Sequence, residues 1–288
     1  MCSLKGGVGK TSVTLGLASA ALFRGIPTLV VDLDPQADAT TGLDVQAQRP
    51  TTIADVLAGS VRNAFESALA PSEWAADAPC ALDVVIGSPD TAAHDGPRAG
   101  DQGLGRLDAA LRKLATGYEL VLIDCPPSLG ALTQAGLVAS HRALVVTEPA
   151  LFSVTAADRA LQAVDELRQS VAPTLQPLGV LVNRYRERSP EHRFRVAELL
   201  EMFGPLVLTP SIPERSALQQ AQGASQSIHR WPGPAAAELA RIFDTLLSRV
   251  LRASTRPSRN APPVATAPQL PAPGTSTVLP PVTPVAGE

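Results

Sequence analysis

The chain has 288 residues, a hydrophobic content of 45%, a charged fraction of 18% and a net charge of −3 at pH 7. That length suffices for one substantial α/β core plus an appendage, or for two small domains. The weak acidic balance excludes a global attraction to nucleic acid, so any such contact needs a local basic patch. The cysteines Cys2, Cys80 and Cys125 are scattered with no CxxC pair, which argues against a disulfide framework or a structural zinc site.

Residues 5–11 read Lys-Gly-Gly-Val-Gly-Lys-Thr. In a turn of this kind Gly6, Gly7, Val8 and Gly9 point consecutive backbone N–H groups at nucleotide phosphates on a helix N-terminus, with Ser12 on the first turn behind them. Lys10 supplies a point charge to the β/γ-phosphates and the Thr11 hydroxyl is placed to ligate Mg²⁺. The strict pattern has Gly where this chain has Leu4, and it lacks the additional Lys5. A cation so early in the loop is badly placed for its own β/γ-phosphates, but could stabilise charge on a neighbouring nucleotide, as an arginine finger does in trans.

Residues 11–24 follow with helical apolar spacing and stop at Gly25. Short apolar runs at 28–31, 82–86, 119–123, 143–147 and 178–182 alternate with helical segments at 105–115, 155–169, 190–203 and 234–252. Near-continuous apolar strands separated by helices predict an α/β fold, a mostly parallel twisted sheet with helices on both faces. Ser189-Pro190-Glu191 is a helix start, with Ser as N-cap and Pro in the first turn. Only four residues precede Lys5, where a phosphate loop normally follows a central strand. Either that first strand is truncated or the sequence begins at a downstream start codon; the second is favoured, because losing a central strand leaves ladder groups unpaired. From residue 253 to 288 the composition turns to Pro, Ala, Thr, Ser and Val, which predicts a disordered tail behind a nucleotide-binding domain of residues 1–252. No signal peptide or apolar run of transmembrane length is evident, so a cytoplasmic location is expected.

Two carboxylate motifs accompany the loop. Val31-Asp32-Leu33-Asp34-Pro35-Gln36 puts two acids at a strand end, where α/β sheets open their ligand crevice. The spacing places both on one side of the pleat, Asp34 to orient an attacking water and Asp32 to hold the Mg²⁺ hydration shell. Ile123-Asp124-Cys125-Pro126-Pro127 ends a second apolar strand in Asp124, a Walker-B arrangement that contacts Mg²⁺ directly or through water. Cys125 reads as a small core residue, since no His lies near it in sequence.

Lys5–Thr11, Val31–Thr40 (VDLDPQADAT) and Ile123–Ser128 (IDCPPS) together resemble the ParA/MinD family of deviant Walker-A ATPases, and most closely its ParA branch. Weaker similarity at 145–156, 179–184 and 210–223 extends the resemblance over nearly all of residues 3–250. It implies a P-loop NTPase fold, ATP and Mg²⁺ as cofactors, and a homodimer that sandwiches ATP while Lys5 reaches the partner's nucleotide. It further implies that Asp34 supports hydrolysis and that Asn183, Pro213 and Glu214 flank the adenine. A ParB-like activating protein, nonspecific DNA and a nucleoid-associated location follow from the same resemblance.

Arg184, Arg186, Arg188, Arg193 and Arg195 crowd twelve residues. They are the expected phosphate-binding surface for DNA, without base readout. Arg215 is a further candidate, for DNA or for the nucleotide. Two other classes compete. A MinD-like membrane regulator needs a basic amphipathic C-terminal helix, whereas residues 234–252 look like a core-packing element. A metabolic or signalling enzyme on the same fold needs features missing here, such as cluster-ligating cysteine pairs or a tyrosine cluster beyond Tyr118 and Tyr185.

Overall fold

A computed structural model describes residues 1–46, 51–59, 63–96 and 104–254. In chain order these form α1 (Lys10–Phe23), β1 (Thr28–Asp32), α2 (Asp38–Gly42), α3 (Ile53–Ala58), α4 (Ala64–Ala68), β2 (Leu69–Pro71), β3 (Leu82–Val85), α5 (Gly105–Leu114), β4 (Leu120–Asp124) and α6 (Ala131–Val138). They continue with β5 (Arg142–Thr147), α7 (Ser153–Ser170), β6 (Gln176–Val182), α8 (Pro190–Phe203), β7 (Val207–Leu208), α9 (Ser216–Gly223) and α10 (Pro234–Ser254).

The strands make two sheets, β2-β3-β1-β4 and β5-β6-β7, parallel throughout except for β2. Alternation along each strand assigns the faces. Val30, Leu144, Val146 and Leu181 point to a core shared with α1, α9 and α10. Leu29 and Val31 meet α3–α6 on the opposite face, and Ala143, Val145, Val180 and Val182 meet α7 and α8. Both faces are therefore covered, which explains strands that read as unbroken apolar runs. The expected α/β architecture is present.

α1 is buried on nearly every side, as befits a helix between a sheet and another helix. Its Gly16 admits α10: a Cβ there would stand 2.2 Å from the Phe243 ring. Phe243, Leu239, Leu246 and Leu247 are enclosed in that contact, so α10 is a core-packing element. The helix continues to Ser254, two residues past the expected end of the domain at 252, and the Arg142 guanidinium binds the Ala253 carbonyl in its last turn. Residues 255–288 of the expected tail lie outside the described residues.

The shortest elements carry no sequence signal. α2, α3, α4, β2 and β7 span two to six residues each, too few for a helical or alternating period to register.

Between the sheets lies the amino terminus. Cys2 bridges in parallel to Val145 of β5, while the Met1 ammonium donates to the Ile123 carbonyl of β4. Residues 1–3 thus occupy the position expected of the first strand, but form one bridge rather than a ladder.

Candidate nucleotide site at the strand ends

The phosphate loop starts where Cys2 leaves the sheet. Ser3 Oγ accepts from the Lys5 N–H and donates to the Lys5 carbonyl, both at 3.1 Å. Gly7 and Gly9 take φ of +76° and +87°, values that favour glycine. Gly9 is constrained twice, since a Cβ there would lie 2.3 Å from Asn183 Nδ2. That amide donates to the Val8 carbonyl at 2.8 Å. Asn183 is buried, and its own N–H bonds the Thr147 carbonyl. The end of β6 therefore braces the loop from below.

Lys10, the first residue of α1, is buried. Thr11 Oγ1 donates to Asp124 Oδ2 at 2.6 Å, and Thr14 Oγ1 donates to Asp124 Oδ1 at 3.0 Å. Asp124, the last residue of β4, has no solvent exposure. Burial pushes its carboxyl above the usual carboxylate range, opposed by the Thr11 and Thr14 hydroxyls and by the nearby positive charges. A hydroxyl and a buried carboxylate beside a helix N-terminus form a donor set suited to a hard divalent cation.

Asp32 differs from its expectation. It pairs in register with Asp124 across β1 and β4 and is fully enclosed. One carboxylate oxygen receives the Thr40 N–H at 2.8 Å and its O–H at 2.7 Å, and the other receives the Asp34 N–H at 3.3 Å. Burial, then the charge of Asp124, push its carboxyl up to about 7. The strand ends at Asp32, so only Asp34 emerges onto the turn. Asp32 holds the start of α2 rather than facing the crevice, and the two acids do not share an open side of the pleat. Asp34 is partly exposed, with one oxygen accepting from the Gln36 N–H at 3.0 Å.

Lys5 lies outside the loop's cradle, its side chain 53% exposed and paired with Glu148 just past β5. Glu148 also faces Arg184 at 3.9 Å. Asn183, Pro213 and Glu214 come together, because residues 183–185 run beside 212–214. Tyr185 pairs with Pro213, and Glu214 N–H bonds the Tyr185 carbonyl. Glu214 is ion-paired with Arg186, which lowers its carboxyl below the usual range.

The arginine strip is less cationic than its sequence. Arg184 faces Glu148, Arg186 pairs with Glu214, Arg195 with Glu191 and Glu198, and Arg215 with Glu238. Only Arg188 and Arg193 carry neither an ion pair nor a side-chain hydrogen bond among the described residues. Two of the carboxylates that engage the strip, Glu148 and Glu214, arrive from distant segments.

Sequence reasoning missed Thr14, Thr40 and Glu148. Thr14 was recoverable, since it lies three residues beyond Thr11 on one helix face. Thr40 and Glu148 reach the site only through tertiary structure.

Comparison with known proteins agrees with this geometry. A family profile for an AAA domain matches residues 1–177. The chromosome-partitioning ATPase Soj of Thermus thermophilus is 32% identical over 255 residues, which cover 88% of this chain and 96% of Soj. The chromosome partitioning protein ParA of Myxococcus xanthus is 30% identical, covering 78% and 77% respectively. Among solved structures, a Mycobacterium smegmatis protein described as cobyrinic acid a,c-diamide synthase with bound ADP and magnesium has a TM-score of 0.70. Its identity is 26%, over 90% of this chain and 96% of that one. The cell division ATPase MinD of Pyrococcus furiosus has a TM-score of 0.67 at 25% identity, over 88% and 97%. With the two-lysine loop, the Asp124 strand end and relatives of this kind, the chain belongs to the ParA/MinD family of deviant Walker-A ATPases, on its ParA/Soj side.

Proposed function

We propose that the protein is an ATP-driven positioning switch of ParA type, a slow ATPase that dimerises around ATP, holds nonspecific DNA, and releases it when a ParB-like partner triggers hydrolysis. The observation that carries this reading is the Thr11–Asp124 pair behind the glycine turn, with buried Lys10 between them and the loop. Thr11 and Asp124 would hold Mg²⁺, which supplies charge neutralisation of the phosphates when bound. Asp34, on the open turn, orients the attacking water. Asn183, Pro213 and Glu214 line the adenine side. Lys5 is the group offered to a second subunit, and Glu148 is its resting partner. The setting is the cytoplasm, on the nucleoid, and the cargo is a chromosome, a plasmid or another body.

The membrane-regulator alternative finds no support in α10, whose apolar face is spent on α1, and no helix among the described residues is long and apolar enough to cross a membrane. The likeness to a cobyrinic acid a,c-diamide synthase raises a ligase reading. An amide-transferring site using a thiolate would need an accessible, acidic cysteine, yet Cys2 and Cys125 are buried, burial pushes Cys125 up to about 12, and the half-buried Cys80 is also raised by desolvation rather than lowered.

The direct test is ATP binding by Lys10→Ala. Hydrogen bonds to charged groups contribute about 1.5–3 kcal/mol, so affinity should fall by roughly one to two orders of magnitude in calorimetric titration. Wild-type affinity in that variant would remove the loop from the reading.

A further inference from the structure

Glu148 stands between two cations. It directly follows β5, and its backbone is fixed: its carbonyl accepts from the Ser153 hydroxyl at the start of α7 and from the Ala150 N–H. Its side chain is only 24% exposed. One carboxylate oxygen, Oε1, takes the Lys5 ammonium, and the other, Oε2, lies 3.9 Å from the Arg184 guanidinium. The two contacts differ in kind. The first is a hydrogen-bonded pair, whereas the second is too long for a hydrogen bond.

The two cations also differ in freedom. The Lys5 backbone is tied to Ser3, but among the described residues only Glu148 engages its side chain. Arg184 takes φ of +56°, a left-handed conformation that persists in a non-glycine residue only where its surroundings impose it. They do so here through the Asn183 and Tyr185 N–H groups, bonded to the Thr147 and Ile212 carbonyls. The Arg184 guanidinium makes no hydrogen bond among the described residues, so its donors are unspent. A fixed carboxylate thus lies between a lysine that can swing away on its side chain and an arginine able to replace it. Departure of Lys5 without such a replacement would strand a largely enclosed charge.

We infer that Glu148 is a latch on the second lysine: it holds Lys5 within its own subunit at rest, and Arg184 takes over the carboxylate when Lys5 is drawn to the nucleotide of a second copy. The inference rests on the ATP-sandwich reading above and adds its regulation. Each subunit must break a hydrogen-bonded pair before the dimer closes, so the latch sets how much dimer forms. The Glu148 carboxylate and the incoming phosphates also lie within one lysine length of the same backbone, where they repel each other. Arg184 offsets part of both effects. Glu148 and Arg184 are therefore positioning residues with opposite influence on association.

The test measures, by sedimentation, the dimer formed with Mg²⁺ and the slowly hydrolysed analogue ATPγS. An exposed ion pair contributes up to about a fivefold factor, and a symmetric dimer breaks two, so Glu148→Gln should tighten the dimer by about two- to twentyfold. Arg184→Gln should weaken it by about twofold or more, because the stranded carboxylate then has no second cation. The double variant should match Glu148→Gln, since without the carboxylate Arg184 has nothing to compensate. All three differences should shrink as salt rises. In the nucleotide-free monomer, the Lys5 ammonium protons followed by NMR should exchange with water faster in Glu148→Gln and no faster in Arg184→Gln. Arg184 also acts on the Glu214 carboxyl at the proposed adenine side, so ATPγS affinity of the monomer is measured on the same variants. Dimer changes that merely track that affinity overturn the latch. So does a Glu148→Gln dimer no tighter than wild type when Lys5→Ala fails to dimerise, and this outcome leaves the sandwich reading standing. A Lys5→Ala dimer as tight as wild type overturns the sandwich reading and the latch with it.

Discussion

The phosphate loop and the arginine strip both concentrate charge within about a dozen residues, and folding treats them in opposite ways. The loop's partners are fixed by strand register. β1 and β4 run side by side, Asp124 lands behind α1, and Thr11 and Thr14 converge on it. Among the described residues no ion pair or side-chain hydrogen bond consumes Lys10, which stays at the turn. The strip lies on a loop and an exposed helix, where any carboxylate brought near by the fold can neutralise it. Glu148 and Glu214 do so from two separate segments, as Glu238 does for the outlying Arg215. A motif whose geometry is backbone-determined keeps its chemistry on folding. A charge cluster keeps only what the tertiary structure leaves uncompensated.

The largest expected effect lies on the loop side of this contrast. Under the proposed function, Asp34→Ala should leave ATP binding intact and lower turnover by about 10²–10⁴-fold, the range for a positioned acid–base group. An ATP-bound dimer should accumulate on a sizing column. Asp32→Asn supplies the contrast. Asp32 serves α2 through Thr40, so its loss should lower thermal stability rather than turnover in the folded fraction. Equal loss of turnover in both variants would erase the distinction between the open and the enclosed carboxylate.

How much of this was legible in the sequence follows the same divide. The loop, the Asp124 strand end and every strand with a long apolar run could be read, because each depends on neighbours within a few residues. α1, α7, α8 and α10 were found within a few residues of their observed ends for the same reason. The enclosure of Asp32 was not legible because spacing alone does not say that β1 stops there and that Thr40, eight residues on, captures the carboxylate. Glu148 and Glu238 gave no signal at all, since their pairing with Lys5 and Arg215 depends on strands and helices meeting in space. Gly16 is intermediate. A glycine inside a strong helical pattern marks a close approach, but only the fold reveals Phe243 as what approaches.

A smaller effect separates the arginines themselves. If the strip holds DNA phosphates, the uncompensated Arg188 and Arg193 should carry most of it. Replacing both by Ala should lower the slope of log affinity against log salt by about 2 per subunit, about 0.9 for each phosphate contact. Replacing Arg195, already held by Glu191 and Glu198, should change the slope little. Filter retention of a random-sequence duplex across a salt series measures both. An Arg195 effect as large as the double variant's would mean that ion pairing does not silence an arginine here.

The smallest effect sharpens the comparison from the other direction, by releasing a cation instead of removing one. Glu214 engages Arg186 on an exposed surface, where an ion pair contributes little and is easily screened. Glu214→Gln removes the acid while keeping the residue's size and hydrogen-bonding capacity. The freed guanidinium should strengthen DNA retention by at most about fivefold at low salt. The gain should vanish as added salt shortens the screening length below the distance to the phosphates. Glu214 also borders Pro213 on the proposed adenine side, so ATP affinity must be measured on the same variant. Stronger DNA retention at unchanged ATP affinity places the gain on Arg186. If retention rises only in proportion to tighter nucleotide binding, Glu214 acts through the nucleotide, and the strip's charge balance is not what limits DNA binding.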